Sequence, residues 1–145
     1  MSRPHRRAGF TLIEVLTVSV LLGALAGIAT PQLSRAIHRA SAAKVVADAH
    51  NLTLAVRAFT AAGGTLPATS EWGVPPTGLS AYLEESMAFT FRDVQYRFVT
   101  QPDIGIAQLW VGYDPASGVG EALQRFRRPG EVTWTPTRTT FVLVK

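Results

Sequence analysis

The sequence predicts an α+β protein: one long N-terminal helix, membrane-spanning in its first half, packed by its second half on a small antiparallel sheet of about four strands. Three observations carry this expectation. Phe10 to Ala29 is a run of twenty residues with a single charge, Glu14. Val45, Ala49, Leu52, Val56 and Phe59 recur at spacings of 4, 3, 4 and 3, which is a helical stripe. Beyond Gly63-Gly64, short runs alternate apolar with polar residues and are separated by turn residues, as strands do.

The 145 residues suit one domain, or a small domain plus an extension. There is no cysteine, which excludes a disulfide framework, thiolate zinc sites and a cysteine nucleophile. Only 17% of residues are charged and 47% are hydrophobic, too apolar for a disordered chain. The net charge of +4 is concentrated at one end. Without Arg3, Arg6 and Arg7, eleven basic residues face ten acidic ones. The dense cluster Arg125, Arg127 and Arg128 reads as a solvated helix end, so nucleic acid is not expected as a partner.

The apolar run would span about 30 Å as a helix, the thickness of a bilayer's hydrocarbon core. Arg35 and Arg39 mark the return to water. Three readings compete for it. It is a secretory signal cut at the small-x-small sequence Ala24-Leu25-Ala26, a permanent anchor, or a segment processed ahead of the run. The adjacent Arg6 and Arg7 count as ordinary basic charge in front of it. Glu14 bears on the choice, because a carboxylate inside a membrane is costly and is kept for a function, with a partner. Basic residues flank both ends equally, but those before Phe10 lie closest and favour a cytoplasmic N-terminus.

Pro31 either ends the membrane helix or kinks it. The helical pattern resumes at once with Leu33 and Ile37, so a kink is expected. One nearly continuous helix then runs from about Phe10 to Ala62, with Arg35, Arg39, Asp48, Asn51 and Arg57 mostly off its buried stripe. Gly63, Gly64 and Pro67 stop it. Thr65 to Gly78 reads as a loop anchored by Trp72, and Leu79 to Glu85 as a short helix. Phe89, Phe91, Val94, Tyr96 and Phe98 alternate with a slip at Arg92-Asp93, predicting two strands or one bulged strand. Ile104 to Tyr113 is a further strand, ended by the turn Asp114 to Gly118. Val119, Ala122, Leu123 and Phe126 have helical spacing. Pro129-Gly130 turns the chain, and Val132 to Trp134 with Thr139 to Val144 form a hairpin around Pro136.

No catalytic constellation is visible. His5 precedes the apolar run, and His38 and His50 do not share a helix face. Ser117 lies outside a GxSxG motif, and Gly118-Val119-Gly120 lacks the dinucleotide fingerprint. The chain is read as not an enzyme, with no cofactor and no metal site.

Arg6-Arg7-Ala8-Gly9-Phe10-Thr11-Leu12-Ile13-Glu14 resembles the class III signal of type IV pilins and type II secretion pseudopilins. The resemblance covers roughly Arg6 to Phe59. It implies that a prepilin peptidase cuts between Gly9 and Phe10 and that Phe10 is then N-methylated. Glu14 becomes the fifth mature residue and sets assembly register, and Pro31 becomes the twenty-second and kinks the helix. The implied organisation is a leader over 1–9, a transmembrane and polymerisation segment over 10–30, an amphipathic helix over 31–62 and a globular α+β head over 63–145. The implied function is a structural subunit of a helical filament, a pilus or a secretion pseudopilus. Its partners would be copies of itself, other pilin-like subunits, the prepilin peptidase, the inner-membrane assembly machinery and the lipid bilayer. It would sit in the bacterial inner membrane in a single pass, N-terminus cytoplasmic, before joining an extracytoplasmic filament.

The resemblance also makes physical sense of Glu14. Cleavage after Gly9 frees an amine, and a free α-amine titrates near about 7.7–8.0. Glu14 lies one helical turn away and can meet its own amine or a neighbour's. Such a pair sets register better than it adds stability. Thr11, Thr17, Ser19, Gly23 and Gly27 would let helices approach closely. Some pseudopilin loops bind calcium, for which Asp103 and Asp114 are the weak candidates here. The competing reading is an exported or membrane-anchored binding or enzymatic domain whose conventional signal ends near Ala26.

Overall fold

Helix α1 (Leu12–Ala61) begins where Thr11 and Glu14 close a capping box. In the computed structural model the described residues are 10–84, 87–126 and 132–144, the side chain of Val132 excepted. Their contacts divide the chain into two units, Met1–Ala36 and Ile37–Lys145. In the first, every described residue is helix or its N-terminal lead-in, and every one is exposed. Pro31 lies inside α1, so the helix runs through it rather than stopping there.

The second unit holds the core. Ala42, Val45, Ala49, Leu52 and Val56 of α1 are buried, as the 4-3-4 spacing predicts, with Phe59 partly so. They cluster with Tyr96, Phe98, Leu109, Val111 and Leu143 of the sheet. Fully burying one such side chain stabilises the fold by about 1.5–3 kcal/mol. The sheet has five strands: β1 (Thr90–Phe91), β2 (Val94–Gln101), β3 (Ile106–Tyr113), β4 (Val132–Thr135) and β5 (Arg138–Val144). Their order is β1-β2-β3-β5-β4, all neighbours antiparallel. The count exceeds the expected four because the slip at Arg92-Asp93 is a two-residue turn, with Phe91 paired to Val94. β3 starts at Ile106; Ile104 belongs to a 3-10 turn and is exposed. Of the helix expected over Leu79 to Glu85, a 3-10 turn over Ser80–Tyr82 forms. Glu85 lies outside the described residues, as do Arg127, Arg128 and Pro129-Gly130.

The loop after α1 closes the outer side of β2. Gly73 donates its N–H to the Tyr96 carbonyl, and Ser70 donates its own to Phe98. Ser70 Oγ accepts from the Phe98 N–H, and Thr69 Oγ1 from the Thr100 N–H. Backbone groups that β1 is too short to reach are thereby satisfied. Trp72 anchors this strap as expected: its ring lies over Gly112, where an added Cβ would meet the indole at 3.0 Å.

Helix α2 (Val119–Gln124) packs on the same core through Val119, Ala122 and Leu123. Arg125 forms its C-terminal cap. Gly118, ahead of α2, has φ of +70°, and a Cβ there would come within 2.5 Å of His38 Nδ1. Left-handed backbone costs a non-glycine residue about 1–2 kcal/mol. Gly118→Ala should therefore lower stability by about 2 kcal/mol in chemical denaturation, and more if His38 cannot move aside.

Asp48 is buried, against the expectation that it lies off the stripe. Lys44 donates to both of its carboxylate oxygens, at 3.1 and 2.9 Å, and the buried Tyr96 hydroxyl donates to Oδ2 at 2.8 Å. A helix carboxylate is thus bonded to a strand phenol inside the core. Burial, reinforced by the bond to Asp48 and its charge, pushes the Tyr96 hydroxyl far above the ordinary tyrosine range. Burial also raises Tyr113, whose hydroxyl donates to the Thr135 carbonyl and bonds Thr139. The Trp134 indole N–H lies near that hydroxyl, outside hydrogen-bond geometry. A phenol that keeps its proton longer when folded stabilises the fold fully below the unfolded value of about 10. That stability is lost as pH climbs past 10. Stability should be level below pH 10 on this account and fall above it, and Tyr96→Phe should flatten the alkaline fall.

Candidate functional site

The candidate site is the first unit, from Phe10 to Ala36. Phe10 is unstructured lead-in and 82% exposed; Thr11 caps the helix. Glu14 Oε2 accepts from the Thr11 N–H and from its Oγ1–H, both at 3.0 Å, while the Glu14 N–H donates back to Thr11 Oγ1 at 3.3 Å. The lone acid of the apolar run is therefore already bonded within its own helix. The Thr-x-x-Glu spacing is the sequence signal for this box.

The other polar side chains are also satisfied locally. Thr17 donates to the Ile13 carbonyl, Ser19 to Val15 and Thr30 to Ala26, at 2.7–2.8 Å. Hydroxyls that bond four residues back leave no donor for water to solvate, which is the condition for residence in hydrocarbon. Leu12, Ile13, Leu16, Val20, Leu21 and Leu25 are all more than half exposed and surround the helix. An α-helix apolar on every side is buried in a large core or in a membrane. Here an apolar window long enough to cross a bilayer has none of its residues buried. Gly23 and Gly27 have open space where a Cβ would stand, so nothing within the chain requires glycine there.

Of the expected site residues, Phe10, Glu14 and Pro31 lie on this one segment. Gly9 lies outside the described residues, as do Arg3, His5, Arg6 and Arg7. Asp103 and Asp114 sit at opposite ends of β3, in the turns before and after it, and cannot share an ion. Asp114 Oδ1 is instead bonded to the Ala116 N–H. Among the described residues, no three His, Cys, Asp or Glu side chains gather as metal ligands.

These features define a protein with an apolar N-terminal helix suited to membrane anchoring, joined to an α+β unit with its own core. Comparison with protein families then agrees with the sequence resemblance: residues 4–30 match the model of the prokaryotic N-terminal methylation motif. The match supports a class III signal of the type IV pilin and pseudopilin kind, and it covers the capping box and the apolar run. The long helix packed on an antiparallel sheet is consistent with a pilin-like α+β fold. No curated protein and no solved structure matches the chain.

Proposed function

We propose that the chain is a filament subunit of the type IV pilus or type II secretion pseudopilus kind. The observation that carries this reading is Glu14. It is the one charge in the apolar run from Phe10 to Ala29, it is bonded at the helix start, and it lies inside the methylation-motif match. In this reading residues 1–9 are a leader, and prepilin peptidase cuts between Gly9 and Phe10. Phe10 is then methylated on its new amine. Residues 10–30 hold the subunit in the inner membrane, N-terminus cytoplasmic, and later pack against copies of themselves. Residues 31–62 continue the helix past a bend at Pro31, and 63–145 form the head.

The assembly step follows from solvent physics. Inside a bilayer apolar helices gain little from meeting each other, and they associate by close packing and rare polar contacts. Thr11 keeps the Glu14 carboxylate satisfied until another subunit's ammonium is presented, and that exchange sets one register. Extraction by the assembly machinery then covers the apolar surface with neighbouring helices. The motif favours a structural role over catalysis, because the chemistry, cleavage and methylation, is done to this chain.

The test is the mature N-terminus of protein isolated from its native cells. The expected result is Phe10 carrying one methyl group, with residues 1–9 gone. A start at Gly27 would show a conventional signal and a secreted domain, and a start at Met1 would show a plain anchor. Either would overturn the filament reading.

A further inference from the structure

We propose that the sheet face turned away from α1 is a docking surface for an acidic polypeptide segment, gripped by Arg97 and Arg138 on either side of Trp110. This does not depend on the filament reading. Alternation along the strands puts Tyr96, Phe98, Leu109 and Val111 in the core and turns Arg97, Gln108 and Trp110 to the opposite face. Arg97 stands directly across from Trp110 on β2, and Arg138 sits across from Gly112 on β5. None of the five strands contains an acidic residue, and their two arginines are both on this face. Among the described residues, the ion pair present is Lys44–Asp48, on the other side of the sheet.

Both guanidinium groups are held in place with donors to spare. The Arg138 guanidinium lies over the Trp110 ring at 4.0 Å, which leaves the N–H groups in its plane directed outward. Trp110 is fixed in turn by its indole N–H, which donates to Gln108 Oε1 at 3.0 Å. Arg97 donates its Nε–H to the Ser70 carbonyl at 3.0 Å, leaving its terminal nitrogens for another acceptor. A planar guanidinium matches a carboxylate with two parallel bonds, and prior immobilisation lowers the entropy lost on binding.

Two features select the occupant. Arg97 and Arg138 lie on strands flanking β3, two residues apart in register and so about 12 Å apart at the backbone. Two carboxylates of one extended segment can each meet one of these guanidinium groups. A single-stranded nucleic acid fits less well, because it needs open aromatic faces for its bases, and on this face Trp110 lies under Arg138 and Trp72 lies over Gly112.

The test uses the full chain in detergent micelles and a fluorescent ten-residue oligoglutamate peptide, read by anisotropy at low salt. Saturable binding is expected, weakening as salt is raised. Arg97→Gln and Arg138→Gln should each weaken it roughly fivefold. Arg138→Lys, which keeps the charge but loses the planar fork, should lie in between. Arg57→Gln, an exposed change on α1, should leave binding unchanged. Circular dichroism checks that each variant is folded. The proposal is overturned by absent binding, by loss no greater than that of Arg57→Gln, or by tighter binding of a ten-nucleotide oligothymidylate.

Discussion

Glu14→Ala protein should enter the membrane and lose its leader normally, yet its yield in sheared filaments should fall on the order of tenfold or more. The side chain does two separable things. It caps α1 by accepting from Thr11, and in the proposed assembly it offers a negative charge to another subunit's ammonium. Alanine removes both. Glu14→Gln keeps a side-chain oxygen for Thr11 and removes the charge. If pairing of opposite charges sets register, glutamine should fail nearly as badly as alanine. Should glutamine assemble normally while alanine fails, capping is the role that matters. Immunoblots of filament and membrane fractions distinguish these outcomes. Wild-type filament yield from the alanine variant would refute any assembly role for Glu14.

The second large effect is expected in the core. Asp48→Ala should destabilise the fold by about 2–3 kcal/mol and lower its thermal midpoint by roughly 10 °C. Most of this comes from Tyr96, whose fully buried hydroxyl would lose its acceptor. An orphaned buried donor costs about 1–3 kcal/mol. The lost ion pair adds little, because the Lys44 side chain is 40% exposed and water screens it. Tyr96→Phe should cost about 1 kcal/mol, since Asp48 keeps Lys44. The double variant should then lose less than the sum of the two single losses, because one bond is being counted twice. A midpoint within a degree or two of wild type for Asp48→Ala would show that the buried contact does not hold helix to sheet.

Much of the architecture is legible in the sequence because it follows from periodicity. The 4-3-4 stripe marks the buried face of α1, and alternation marks β2 and β3. Asp48 was not legible. A carboxylate is ordinarily a surface residue, and what buries this one is a tyrosine forty-eight positions further on. In hindsight, Asp48 lies three residues after Val45 and four before Leu52, on the same helix face. Whether β1 is a separate strand or part of a bulged one stays open in the sequence, because two residues have no period; the pairing of Phe91 with Val94 makes it separate. The capping box was legible in principle, since Thr11 stands three residues before Glu14 ahead of an apolar run. Read as an isolated acid in lipid, Glu14 points to an amine, its own or a neighbour's, rather than to Thr11. The Arg138 stack on Trp110 depends on how β5 pairs with β3, which local pattern does not specify.

The strap from Thr69 to Gly73 has a consequence for crowding. In the proposed filament, each subunit must tolerate its own copies at very high local concentration, the condition under which bare strand rims recruit one another into cross-β stacks. Along the rim of β2 the hydrogen-bonding positions at Tyr96, Phe98 and Thr100 are already occupied by the same chain. That rim offers no template for amyloid growth, so in the proposed filament close packing of many heads would not seed it there.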